Sequence, residues 1–87
     1  MTNPYQEIQQ GELIVRTFSK DVAGLELVWH RDKEDREVKV IKGVGWFFQR
    51  EDCLPTLMTK GDIIHIKKEE WHRIIKGRTD LIVEIRK

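Results

Sequence analysis

The sequence predicts a small all-β barrel, and three observations carry that expectation. Short β-branched and aromatic runs recur along the chain with turn residues between them. Apolar and polar residues alternate with period two inside several of these runs. The runs are short and regularly spaced, which favours a barrel or sandwich over a βαβ sheet.

Residues 13–18 form the first run, closed by Ser19-Lys20-Asp21 and Gly24. Residues 25–30 form the next and lead into the charged stretch 31–37. Residues 38–41 end at Gly43-Val44-Gly45, and residues 46–49 follow as a strongly apolar strand. Pro55 and Lys60-Gly61-Asp62 punctuate the chain before residues 63–66. Lys76-Gly77-Arg78 precedes the last run at 81–85, and residues 1–12 read as a polar N-terminal segment. Residues 68–76 can also be read as one amphipathic helix with Trp71, Ile74 and Ile75 on one side.

Alternation assigns faces. With Val38 and Val40 inward, Arg36 shares their face while Glu37 and Lys39 point outward. Val28 and His30 share a face, joined by Asp32 if the strand continues. Ile64 and Ile66 share another, which leaves His65 as an outward or edge residue.

At 87 residues the chain reads as one domain near the lower size limit for independent folding. A homodimer that buries further apolar surface is therefore expected. Sixteen basic and fifteen acidic residues are interspersed, a net charge of +1, which gives no electrostatic reason to expect nucleic acid. No apolar run approaches the roughly 20 residues of a membrane span, and residues 1–10 lack the zones of a signal peptide. Cys53 is the only cysteine, so no internal disulfide forms; a lone thiol fits a reducing, cytoplasmic setting.

Two histidines stand in recognisable frames. The first reads His30-x-Asp32, three residues, Arg36, six residues and Gly43. The second reads Gly61, five residues, Lys67-Lys68-Glu69, two residues and His72. These spacings resemble the two motifs of the cupin superfamily of double-stranded β-helix (jelly-roll) barrels, over residues 25–85. The family's first motif is His-x-His, three or four residues, Glu, six residues and Gly. Its second is Gly, five residues, Pro-x-Gly, two residues and His; the Pro and second Gly are absent here.

The resemblance implies a divalent transition metal (Fe, Mn, Ni or Zn) with His30 and His72 at ligand positions. Asp32 stands in place of the second His, and a carboxylate can ligate there. Arg36 stands in place of the ligand Glu and cannot ligate, because it stays protonated. Glu37, one position later, becomes a ligand only if a bulge turns it inward. His30, Asp32 and His72 then resemble the two-His, one-carboxylate triad. Iron and 2-oxoglutarate oxygenases share that order, but they are much longer chains. Lyase, isomerase and dioxygenase chemistries all occur in the superfamily, and fold does not choose among them.

Several residues keep two readings. The histidines are metal ligands, or they are hydrogen-bonded groups beside an Asp32–Arg36 ion pair. Arg36 is an inward guanidinium for a carboxylate or phosphate ligand, or a surface residue of the charged stretch. Gln49 lines the pocket mouth or lies at an edge; Trp71, like Trp29, packs in the wall or stacks on a ligand. Trp46, Phe47 and Phe48 must place an aromatic on each face, and a second subunit is the expected cover for the outer one. Tyr5 is assigned no role. The sequence thus predicts a small-molecule-binding barrel with a pocket for an anion and a candidate metal site, and leaves enzymatic activity open. The alternative is a metal-free binding or protein-interaction module in which Arg36 pairs with Asp32.

Overall fold

The computed structural model describes residues 5–22 and 27–86, and among these there are eight β-strands and no helix. The strands are β1 (Tyr5–Gln10), β2 (Leu13–Phe18), β3 (Arg36–Lys42), β4 (Phe47–Arg50), β5 (Thr56–Leu57), β6 (Ile63–Ile66), β7 (His72–Ile75) and β8 (Leu81–Arg86). They form an antiparallel five-stranded sheet, β1-β2-β8-β3-β6, facing a three-stranded sheet, β5-β4-β7. Both sheets contribute to one hydrophobic cluster. No helix is long and apolar enough to cross a membrane.

Register explains why these apolar residues coincide. Ile14 lies opposite Ile85 and Phe18 opposite Leu81, while Val38 lies opposite Ile85 and Val40 opposite Val83. Every second residue of β2, β8 and β3 therefore meets its neighbours in rows on the inner face. Each such side chain removed from water contributes roughly 1.5–3 kcal/mol. Arg36 continues the inward face of Val38 and Val40, and His65 stands on the opposite face of β6 from buried Ile66.

The smaller sheet is anchored by Trp46, which is fully buried and donates its indole N–H to the Thr79 carbonyl at 2.6 Å. Met58 N–H donates to the Trp46 carbonyl at 2.9 Å, fixing the tryptophan backbone as well. Gly77 sits where a Cβ would collide with Trp46 Cδ1 and the Val44 carbonyl oxygen. Its sequence context marks a turn, but its physical reason is this close approach. Trp46 and Phe48 face inward, and Phe47 takes the other face, half-buried between Leu57 and Ile75.

Two local expectations are corrected, and the polar N-terminal segment gains a strand. Within 25–30, residues 27–30 hold only a one-residue bridge at His30, and residues 25 and 26 lie outside the described residues. The Val28 carbonyl is taken by the His30 ring instead of a ladder partner. The polar segment 1–12 contains a full strand: β1 pairs with β2 through six residues, turning at Gly11 with φ 63°. Its side chains are almost all exposed, so no alternation betrays it; residues 1–4 lie outside the description. The helix reading of 68–76 also fails, because Glu69 takes φ 63° and strand β7 begins at His72.

Candidate metal centre

The site is built where residues 30–32 meet the start of β7. His30 and His72 form an isolated antiparallel bridge, each N–H donating to the other's carbonyl at 3.0 and 2.9 Å. Their rings lie edge to face with centroids 4.3 Å apart. Asp32 follows two residues after His30, and its Oδ2 is 3.5 Å from His72 Nε2. One potential ligand atom from each of His30, Asp32 and His72 lies within 4.8 Å of the others.

Backbone contacts hold this loop in place. The Glu69 N–H donates to the Asp32 carbonyl at 2.7 Å, and the Lys68 N–H donates to the Asp35 carboxylate at 2.8 Å. Asp35 is a positioning residue that sequence reading missed; no local pattern links it to a turn 33 residues later.

Both imidazoles have their tautomer set. His30 Nδ1 is 3.1 Å from the Val28 carbonyl and His72 Nδ1 is 2.8 Å from the Glu70 carbonyl. A carbonyl oxygen only accepts, so each Nδ1 carries the proton and each Nε2 keeps its lone pair free. Metal-ligating histidines are characteristically oriented in this way, through the nitrogen that does not bind the ion.

Burial pushes the His72 imidazole below its ordinary value of 6.5, and His30 adds to this. The Glu70 carbonyl and the Asp32 and Glu70 carboxylates oppose the shift. In metal-free protein the unfolded chain therefore takes up this proton more readily than the folded one. The stabilisation is complete above about pH 6.5 and is lost as pH falls below it toward the lowered folded value. Urea midpoints at about pH 7.5 and about pH 5.5 are expected to differ more in the wild type than in His72→Gln.

The bridge is gripped from its outer side by two reciprocal stacks. The Arg31 guanidinium lies 5.2 Å from the Trp71 ring and that of Arg73 lies 4.9 Å from the Trp29 ring. Residues 29 and 73, and 31 and 71, flank the His30–His72 pair across the bridge. Exposed stacks of this kind contribute about 0.5–1 kcal/mol each. The double substitution Trp29→Ala, Trp71→Ala is thus expected to lower unfolding free energy by about 1–2 kcal/mol in denaturant titration.

Around the triad the two sheets line a half-open cavity of about 480 Å³. Phe18, Val38, Phe48, Ile74, Leu81 and Val83 are among its apolar lining, and His30, Asp32, His72 and Arg36 are among its polar lining. That volume is typical of small-molecule sites. Arg36 Nε is 3.9 Å from Asp32 Oδ2, beyond hydrogen-bond range. It is buried with no hydrogen-bond partner, the one such side-chain atom among the described residues.

The other candidates lie elsewhere. Glu37 sits on the outer face of β3, 3.8 Å from His65, and its register with β6 is regular, so no bulge turns it inward. Gln49 does not line the cavity; it donates to the Cys53 carbonyl and accepts from Arg73 Nε at 2.8 Å. Trp71 does not line it either, because it serves the stack with Arg31.

No protein-family model and no curated protein matches the sequence. Solved structures do match. A cupin-2 domain protein from Shewanella frigidimarina superposes with TM-score 0.66 at 19% identity, covering 94% of this chain and 78% of that one. A cupin-like protein from Thermotoga maritima gives 0.69 at 16% identity, covering 94% and 65%. The chain has the cupin fold. An iron(II) form of HppE matches this chain with TM-score 0.67 at 13% identity, covering 93% of it and 47% of HppE. The chain thus spans about half the length of that protein.

Proposed function

We propose that this cupin binds a small anionic molecule in its cavity, next to a divalent transition metal held by His30, Asp32 and His72. The observation that carries the metal reading is the pair of Nδ1–carbonyl contacts, which free both Nε2 atoms, that of His72 lying 3.5 Å from Asp32 Oδ2. The donor set fits: two neutral imidazoles and one carboxylate suit Fe, Mn, Ni or Zn and leave coordination positions open. When bound, such an ion would polarise a substrate oxygen as a Lewis acid or engage in redox chemistry if it is iron. The chain's own contribution is to place Arg36 beside that position, as an anchor for an anionic group. The likeness to the iron(II) form of HppE is one of fold and chooses no reaction.

Equilibrium dialysis of tag-free protein against Fe(II), Mn(II), Ni(II) and Zn(II) tests the metal reading. One ion per chain supports it; no retention of any of the four overturns it. The second reading, a metal-free module, is favoured only by the Arg36–Asp32 approach, and at 3.9 Å that contact is weak. A second copy of the chain over Phe47, Leu57 and Ile75 belongs to the same proposal, as does a reducing, cytoplasmic setting for exposed Cys53. Light scattering that gives a monomer mass would remove the dimer.

A further inference from the structure

The charge distribution of the cavity narrows its ligand class. Two arginines line it, Arg36 on β3 and Arg16 on β2. Arg16 already has a carboxylate partner: its Nε and Nη2 donate to Glu7 Oε1 at 2.9 and 2.6 Å. Its guanidinium also lies 3.9 Å from the centroid of the Tyr5 ring. Arg36 has no comparable partner. Its Nε is buried and unpartnered, and its approach to Asp32 is too long for a hydrogen bond.

Register separates the two. Arg16 lies opposite Val83 and Val83 lies opposite Val40, four residues along β3 from Arg36. Two strand spacings across and four residues along put the two Cα atoms roughly 16 Å apart on the sheet surface. The surface between them is apolar: Val38, Val83 and Ile85 are all less than a tenth exposed, with Phe48 and Ile74 on the facing sheet. One end therefore offers a guanidinium whose Nε has no hydrogen-bond partner, with the Asp32 carboxylate 3.9 Å away, and the other an arginine hydrogen-bonded to the Glu7 carboxylate.

We infer that the ligand is a singly charged carboxylic acid with an apolar body, its carboxylate on Arg36 and its chain along Val38, Val83 and Ile85. The planar guanidinium matches a carboxylate through two parallel N–H donors. A second anionic group at the Arg16 end would compete with the Glu7 carboxylate for the same guanidinium. An uncharged ligand could accept from Arg36 Nε but would supply no opposite charge to the guanidinium. The inference rests on the cavity part of the proposed function and not on its metal.

Isothermal titration of metal-stripped and Zn(II)-loaded protein with octanoate, octanol, octanedioate and octyl phosphate tests it. Octanoate is expected to bind more tightly than the other three in at least the metal-stripped form. Arg36→Gln should weaken octanoate at least 10-fold, about 1.4 kcal/mol, and leave octanol unchanged. Arg36→Lys, which keeps the charge but loses the fork, should fall between. The comparison among probes in the wild-type protein needs no variant, so a misfolded variant cannot decide the outcome. No octanoate binding, tighter binding of octanedioate or octyl phosphate, or an unchanged affinity in folded Arg36→Gln overturns the inference. Failure of the Zn(II)-treated protein to retain the ion, with octanoate binding intact, would overturn the metal reading alone.

Discussion

His72→Ala is expected to abolish stoichiometric metal binding while the barrel persists. Loss of an outer hydrogen-bond partner of a ligand alone typically costs about 10–100-fold in affinity, and loss of the ligand itself should exceed roughly 100-fold. His72 is the most constrained member of the triad: it is 3% exposed, its Nδ1 faces the Glu70 carbonyl, and its backbone pairs with His30. The backbone bridge does not need the imidazole, so far-ultraviolet circular dichroism should still report β-structure. Metal analysis after dialysis is the readout. Retention of one ion per chain in folded His72→Ala would place the metal elsewhere.

Trp46→Ala is expected to be the most destabilising single substitution in the chain. The side chain is fully buried and its indole N–H is bonded to the Thr79 carbonyl. Truncating a buried Trp costs about 3–5 kcal/mol, against a total stability of about 5–15 kcal/mol for a natural domain. In a domain of this size the Tm should fall by more than about 12 °C. Gly77→Ala should act at the same place, because its added methyl enters the space of Trp46 Cδ1 and the Val44 carbonyl oxygen. Leu54→Ala is the control: Leu54 is 86% exposed, and its loss should leave the Tm within error in a calorimetric scan.

The sequence shows its structure where burial enforces a period. Strands β2, β6 and β8 lie where their β-branched runs stand, and Val38, Val40 and Arg36 share a face because one face of β3 is buried. The spacing of His30, Asp32 and His72 was legible through the cupin motifs, since fixed loop lengths in a barrel bring those positions to one end. Long-range pairing was not legible. Strand β1 is held by β2 and carries no apolar alternation of its own. Residues 27–30 look like a strand, yet pair only at His30, because the Val28 carbonyl serves the histidine ring.

The tryptophans show the same limit. Trp29 and Trp71 sit next to the site histidines in sequence, which invites a ligand-stacking role. Alternation instead sends them to the outer side of the bridge, where Arg73 and Arg31 cover them. Gln49 likewise meets Arg73, 24 residues away, and that partner cannot be read from local pattern. Glu37 follows the regular register of β3 and stays outside, so the triad has one carboxylate rather than two. That leaves Arg36 as the inward charge at the position the cupin motif gives to a ligand Glu.

The central claim is that His30, Asp32 and His72 together hold one divalent ion. Anomalous diffraction from crystals of Mn(II)- or Zn(II)-loaded protein tests it most directly. A single peak per chain is expected, for Zn(II) about 2.0–2.2 Å from His30 Nε2, His72 Nε2 and one Asp32 oxygen. A crystal grown with saturating metal that shows no peak between these three side chains, or a peak bound through either Nδ1, would contradict it.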